Sequence, residues 1–375
     1  MGKLKLVISA VNFTHGGPYT ILKETLKAAS ELEHIEVVAL VNNSDELKLS
    51  FPKIKFIDFP EPKKSWLARI RFEYFSCRKL SKELRATHWF CLHDMTANVV
   101  TKYRFVYCHN PAPFYHSITL REVFLEPSFF IFKMLYSKFY GFNIKKNDAV
   151  FVQQHWLANE FKRIYQLKKI VVSRPEFEVK APPNSSLKTS ESKNTFSDND
   201  KIIIFYPAVS RVFKNFEIIL DVAQMMISDH RVEFRVTFDG RENKYSKLLL
   251  EKYGALSNVK FLGYLSKKDM TIQYKESDIL CFPSKLETWG LPISEAKMHG
   301  LWILAADLPY AHETLGVYPK KTFFDPKNSD ALHNAILSFL SCRLPEIHHD
   351  DVLDCQCTEE IIGFNALISY IVDFK

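Results

Sequence analysis

Short apolar runs alternate with longer amphipathic stretches along most of the chain. In the first half the runs fall at Leu4–Ala10, Ile35–Val41, Ile54–Phe59, Trp89–Leu92, Phe105–Cys108, Ala149–Val152 and Ile170–Val172. Runs this short, apolar at successive positions, predict strands of a parallel sheet covered on both faces. Helical periodicity lies between them, over Thr20–Leu32, Trp66–Leu84, Thr119–Phe139 and Trp156–Tyr165. Residues 181–200 break the pattern: they are rich in Pro, Ser, Asn and charge, with almost nothing to bury, and predict a linker or exposed loop. The alternation then restarts. Strands are expected at Ile202–Tyr206, Phe234–Phe238, Val259–Leu262, Ile279–Phe282, Trp302–Ala305 and Thr322–Phe324. Helices are expected at Phe216–Ile227, Ser246–Tyr253, Lys268–Glu276, Ile293–Met298 and Ala331–Leu340, and a last one, with no strand after it, at Glu359–Val372. Two rounds of alternation predict an α/β protein of two Rossmann-like domains, residues 1–180 and 201–345. The tail, residues 346–375, is expected to pack back on the first domain, with a ligand in the cleft between the domains, outside the carboxyl ends of the strands.

Composition narrows the class. A chain of 375 residues, 47% hydrophobic and 25% charged, is long enough for two soluble cores. It holds no run of about 18 apolar residues, so no transmembrane helix is expected. Its opening, Met1 to Ala10, reads as a strand and lacks the apolar length of a signal peptide. The seven cysteines include only one close pair, Cys355 and Cys357, whose spacing is not that of a metal knuckle. Cys91, Cys108 and Cys281 lie inside apolar runs. A reduced, cytoplasmic protein is the expectation.

The net charge of +7 is unevenly spread. Residues 1–180 carry 28 basic against 17 acidic residues, a surplus of 11, whereas residues 181–375 carry 22 against 26, a deficit of 4. Between Lys63 and Lys146 the basic residues interleave with aromatics such as Trp66, Phe75, Phe130 and Tyr136. That mixture suits peripheral contact with an anionic membrane, on the inner face of the cytoplasmic membrane, or merely solvated helix faces. No nucleic-acid recognition motif accompanies it.

Three segments carry candidate chemistry. His15-Gly16-Gly17-Pro18 joins the first strand to the first helix, where two glycines permit close backbone approach and the helix start offers N–H groups to an anion. The segment is neither G-x-G-x-x-G nor a Walker loop, which disfavours hydride carriers and P-loop chemistry. After the first strand of the second half, Arg211 and Lys214 stand at the mouth of a helix, suited to a diphosphate or simply an exposed basic loop. The third segment, Glu287-Thr288-Trp289-Gly290-Leu291-Pro292-Ile293-Ser294-Glu295-Ala296, sets two carboxylates eight residues apart around a turn. Glu287 falls in the loop and Glu295 in the first turn of the next helix, where an acid also offsets the helix dipole. Carboxylates so placed accept hydrogen bonds from sugar hydroxyls.

This last segment resembles the E-x₇-E signature of retaining glycosyltransferases of the GT-B fold, family four, of the kind found in bacterial surface-polysaccharide synthesis. The resemblance extends to Gly16-Gly17, to Phe205-Tyr206-Pro207-Ala208 with Lys214-Asn215, and to Asn258-Val259-Lys260-Phe261-Leu262-Gly263. It implies two Rossmann-like domains facing each other across a cleft. It further implies Lys214, and with it Arg211, on the donor diphosphate, Glu287 on the donor sugar, and Glu295 on the ribose. Gly290 and Leu291 would touch sugar and phosphate, Tyr264 the nucleobase, Gly16 and Gly17 the donor phosphate, and His109 the donor sugar. The sequence departs from the family where an arginine is usual five residues before the lysine: here that position is Val209. Asp94, after His93, is a candidate for the acceptor side.

The implied reaction moves a hexose-type sugar, with retention, from a UDP- or GDP-linked donor to a saccharide acceptor, lipid-linked, in O-antigen or capsule synthesis. No cofactor is implied beyond the nucleotide-sugar substrate, and no catalytic metal, in keeping with the fold's usual independence from one. Other GT-B enzymes (a phosphorylase, an epimerase, a sugar-phosphate synthase) and a non-catalytic nucleotide-sugar-binding protein remain alternatives.

Overall fold

The computed structural model describes residues 4–115, 118–176, 201–341 and 359–375. The expected linker at 181–200 lies outside the described residues, as do residues 346–358 of the tail and Cys342, Cys355 and Cys357. The chain divides into two compact units. The first comprises, of the described residues, 4–113, 133–176 and 359–375; the second comprises 114–115, 118–132 and 201–341.

The first unit is built on an eight-stranded, wholly parallel sheet. Its strands are β1 (Leu4–Ser9), β2 (Ile35–Val41), β3 (Lys55–Asp58), β4 (His88–Cys91), β5 (Tyr103–Cys108), β6 (Ala149–Val152), β7 (Ile170–Arg174) and, from the far end of the chain, β14 (Glu359–Ile362). The order is β3-β2-β1-β4-β5-β6-β7-β14. The connecting helices are α1 (Gly16–Ser30), α2 (Asp45–Ser50), α3 (Trp66–Arg71), α4 (Cys77–Glu83), the second part of α6 (Pro127–Gly141) and α7 (His155–Tyr165). The closing helix α14 (Phe364–Val372) buries Leu367, Ile368 and Ile371 in the same core as Leu22 and Leu26 of α1 and Phe105 and Phe151 of the sheet.

Three expected spans take another form in the structure, and the helices at Asp45–Ser50 and Pro309–Leu315 are additions to the expected pattern. The span Glu359–Val372 is not one helix: its first four residues add a strand to the β7 edge, and Gly363, at φ +84°, turns the chain into α14. A left-handed turn of this kind suits glycine, which has no Cβ to clash. The span Trp66–Leu84 is helical throughout but widens into a π-turn at Phe72–Ser76. The span Thr119–Phe139 breaks into α5 (Leu120–Leu125) and α6 at Glu126, whose non-helical backbone (φ −132°, ψ 63°) is what the following Pro127 imposes.

The second unit holds a six-stranded parallel sheet in the order β10-β9-β8-β11-β12-β13. The strands are β8 (Ile202–Tyr206), β9 (Val232–Val236), β10 (Val259–Phe261), β11 (Ile279–Phe282), β12 (Trp302–Ala306) and β13 (Lys321–Phe324). Its helices are α8 (Phe216–Met225), α9 (Lys244–Tyr253), α10 (Lys267–Glu276), α11 (Leu291–Met298), α12 (Pro309–Leu315) and α13 (Ser329–Leu340). To these the first half of the sequence adds a strap, made of α5 and the start of α6. Cys77, Cys91, Cys108 and Cys281 are buried free thiols. No helix among the described residues is long and apolar enough to cross a membrane.

Candidate active site

In both sheets the direction of strand succession reverses at one place, between β1 and β4 in the first unit and between β8 and β11 in the second. At such a reversal the loops leaving the carboxyl ends of two adjacent strands turn to opposite faces and open a crevice, where open α/β sheets bind ligands. In the second unit these loops carry Lys214 and Glu287. The Lys214 ammonium is in direct contact with Oε1 of Glu287, both side chains being less than a fifth exposed. The ammonium also lies 5.9 Å from the centre of the Phe282 ring.

Neighbouring groups fix this pair. The Tyr206 hydroxyl donates to the Lys214 carbonyl at 2.8 Å, and burial, with the Glu287 charge adding to it, pushes that hydroxyl's pKa well up, so it remains a donor. Asn215, left-handed at φ 59°, donates its side-chain amide to the carbonyls of Pro283 (3.2 Å) and Pro326 (2.9 Å). The Lys285 amide donates to the Phe213 carbonyl at 2.7 Å, and Tyr310 donates to the Ser284 carbonyl at 2.6 Å. The two loops are thus tied backbone to backbone, so Lys214 and Glu287 are presented by a rigid support. Tyr206 and Asn215 lay in segments that carried the resemblance but drew no role of their own, and Tyr310 did not stand out; a further signal was Asn directly before a helix, a residue that tolerates the left-handed conformation.

Gly290, at φ +76°, opens α11, and Leu291 is its first residue. A Cβ on Gly290 would lie 3.2 Å from Ile293 Cδ1 and 3.3 Å from Phe282 Cε1, so the position needs glycine on both counts. Pro292 has no N–H and the Ile293 amide donates to the Gly290 carbonyl at 2.9 Å, so among the first three residues of α11 only Leu291 offers an amide to a ligand at the crevice end of the sheet. Glu295 is the fifth residue of α11 and not in its first turn, as the sequence suggested. Dipole compensation, which fades beyond the first turn, therefore does not account for it. Its Oε2 accepts from the Tyr274 hydroxyl at 2.6 Å.

Two expected donor contacts stand apart from this pair. Tyr264 follows the edge strand β10 and is 94% exposed. Arg211 is paired with the strap: its Nε donates to Glu126 Oε2 at 2.6 Å, and its guanidinium lies 5.4 Å from the centre of the Phe129 ring. Glu126 Oε1 accepts from the buried Val212 amide at 2.8 Å. A second strap carboxylate, Glu122, accepts from Lys285 at 3.3 Å and from the Tyr115 hydroxyl at 3.0 Å.

In the first unit the reversal brings together Gly16 and Gly17, which open α1, and the segments holding His93, Asp94 and His109. α1 starts with Gly16 at φ +68°, without a side-chain cap and without an acid in its first turn, which leaves its positive end uncompensated. Asp94, expected on the acceptor side, instead serves the loop of His109. Its Oδ1 accepts from the His109 amide (2.7 Å), the Asn110 amide (3.2 Å) and the Tyr140 hydroxyl (2.8 Å), and its Oδ2 from the Tyr136 hydroxyl (3.1 Å). With those oxygens engaged, a buried Asp94 anchors the histidine. The His109 ring packs on Phe13 at 5.2 Å, and its buried Nδ1 has no hydrogen-bond partner.

Beneath this loop lies a buried network absent from the sequence reading. Glu73 in the π-turn accepts from Arg69 at 2.7 Å and lies 3.3 Å from His93 Nε2, which is 3.0 Å from Ser9 Oγ. The widened turn leaves carbonyls unused by the helix, and Asn98 takes two of them, its amide donating to Glu73 O (2.9 Å) and its side chain to Tyr74 O (3.1 Å). Burial pushes the Glu73 carboxyl up to about 7 despite the Arg69 charge, and burial with Arg69 drives the His93 imidazole well down. Among the described residues no group of three or more His, Cys, Asp or Glu could hold a metal ion.

Residues 188–351 match the family described as glycosyl transferases group 1. No curated protein matches the chain by sequence. The sucrose-phosphate synthase of Thermosynechococcus elongatus superposes with a TM-score of 0.65 at 13% identity, covering 90% of each chain. WaaG, a glycosyltransferase involved in lipopolysaccharide biosynthesis, gives 0.63 at 15%, again over 90% of each chain. Alr3699/HepE of Anabaena, in complex with UDP-glucose, gives 0.60 at 15%, over 91% of this chain and 90% of its own. Likeness at these identities establishes the fold, that of GT-B proteins.

Proposed function

We propose that this chain, a glycosyltransferase by its group 1 domain and with the GT-B fold, moves a hexose-type sugar from a UDP- or GDP-linked donor to a saccharide acceptor with retention at the anomeric carbon. The observation that carries the reading is the Lys214–Glu287 contact at the reversal of the second sheet, beside the glycine start of α11. As the bond to the leaving diphosphate breaks, negative charge grows on its oxygens. Lys214 and the Leu291 amide at the start of α11 are fixed donors for that charge, and losing one such donor costs roughly 10²–10³ in rate. The diphosphate would draw Lys214 from Glu287, freeing the carboxylate for sugar hydroxyls. Glu295 takes the ribose and the turn at Tyr264 the nucleobase. Arg211 serves as a second phosphate cation only by leaving Glu126, and Gly16, Gly17 and His109 complete the donor contacts that the resemblance implies. Hydrolysis screened over several UDP- and GDP-sugars identifies the donor, and the anomeric configuration of the product, read by NMR, tests retention. Glu287→Gln and Lys214→Ala should each abolish most transfer; full activity in Glu287→Gln removes that carboxylate from the mechanism.

The acceptor we infer is lipid-linked, in bacterial surface-polysaccharide synthesis, with the enzyme on the inner face of the cytoplasmic membrane. What supports this is the surface of the first unit, where Trp66 of α3 stacks on Phe139 of α6 at 5.4 Å. Leu67 of α3, Phe75 of the π-turn and Met134 of α6 are 70–80% exposed, and Arg71, Arg78 and Lys138 are exposed with them. Apolar side chains ringed by cations suit an anionic headgroup layer. Sedimentation with anionic liposomes at low salt, lost on Leu67→Glu with Phe75→Glu, tests it; failure of the wild-type protein to bind refutes docking and leaves transfer standing.

A further inference from the structure

We propose that Tyr274 is a positioning residue that fixes the Glu295 carboxylate for a vicinal diol, and so makes the site selective for nucleotides with an intact ribose. The proposal rests on the assignment of Glu295 to the donor ribose made above. Tyr274 projects from α10, 21 residues before Glu295 in sequence, and its hydroxyl donates to Glu295 Oε2 at 2.6 Å. Its ring is held on both sides: edge-on to Phe205 of β8 at 5.4 Å and 82°, and stacked on His299 at 5.4 Å and 8°. Only 3% of the residue is exposed. A glutamate on a helix surface samples many rotamers; one tied to a clamped phenol does not. Burial and the Glu295 charge push the Tyr274 hydroxyl far above its ordinary pKa, so it is a donor at every working pH. One carboxylate oxygen is thereby oriented by the protein, which limits the positions from which the other can meet a ligand. A diol needs two acceptor lone pairs in register, and this arrangement supplies them without a rotamer search at binding.

The test is a comparison of affinities within one variant. The dissociation constants of UDP or GDP (whichever binds) and of its 2′,3′-dideoxy analogue are measured by calorimetry on the full chain. Immobilising one such side chain is worth roughly a 2- to 12-fold change in affinity. Tyr274→Phe keeps the ring and its packing and removes the hydroxyl. It should weaken the ribonucleotide by that factor and leave the dideoxy analogue unchanged. The ratio of the two constants does not depend on the fraction of protein folded, so a loss of stability does not obscure the result. Equal weakening of both ligands, or of neither, overturns the proposal. Glu295→Ala separates the layers: it should weaken the ribonucleotide and leave the dideoxy analogue unchanged, and if it weakens both equally or neither, the ribose assignment itself falls. If it weakens only the ribonucleotide and Tyr274→Phe does not, only the positioning role falls.

Discussion

Replacing Asp94 by asparagine should loosen the His109 loop without unfolding the first unit. Asp94 sits at φ +69°, a conformation asparagine tolerates as well as aspartate, so the exchange adds little backbone strain. Asparagine can keep its oxygen towards the His109 amide and the Tyr140 hydroxyl, at 2.7 and 2.8 Å in the native protein. Both bonds then change from charge-assisted to neutral, about 1 kcal/mol each. The side-chain NH₂ takes the place of Oδ2, which now accepts from Tyr136 at 3.1 Å, and forces that hydroxyl to reverse. The sum is about 2–3 kcal/mol, a large share of the 5–15 kcal/mol that holds most domains folded. Urea unfolding of the full chain, followed by a probe in the first unit, should show a lower midpoint with unchanged slope. Transfer should slow, because the His109 amide and ring are seated less firmly, while UDP or GDP affinity stays near wild type. Stability within about 0.5 kcal/mol of wild type would refute the reasoning, since a solvated surface aspartate behaves that way.

Other perturbations follow from the same geometry. Gly290→Ala places a methyl group against Ile293 and Phe282 at φ +76° and should cost about 1–2 kcal/mol of stability, with weaker nucleotide binding by calorimetry; unchanged affinity would show that α11 can start elsewhere. Glu126→Ala removes the Arg211 pair and leaves the buried Val212 amide unpaired, about 2–4 kcal/mol, so trypsin should cut faster at the exposed Arg121 of the strap. Glu73 holds a proton more tightly folded than unfolded. Its contribution to stability therefore falls as pH rises from about 4.5 to about 7 and is level above that; Glu73→Gln should abolish this slope in a pH series of unfolding midpoints.

What the sequence disclosed follows the range of the interactions involved. Strands β1 to β13 are apolar runs flanked by turns and were visible as such, apart from shifts of an end residue or two and the earlier start of β9. β14 was not: Glu359-Glu360-Ile361-Ile362 has no alternation to separate it from the helix that follows, and only the open edge of β7 makes it a strand. The Lys214 and Glu287 positions were legible because their loop residues carry the motif. The anchoring of Asp94 was not, because its tyrosine partners come 42 and 46 residues later, on a helix whose break at Glu126 the hydrophobic pattern alone conceals. Arg211 looked available for a phosphate because its partner, Glu126, lies 85 residues earlier.

The chain leaves its first unit to lay α5 and the start of α6 on the second, goes back, crosses again, and returns at the end to supply β14 and α14. Neither half is therefore a cassette. A gene crossover in the 181–200 region would join a sheet lacking its native edge strand to a second half whose strap came from the other parent. Hybrids of this protein with a distant relative should fail unless Glu122, Glu126 and their partners Lys285 and Arg211 descend from one parent, together with the last 17 residues, 359–375, and the β7 edge they extend.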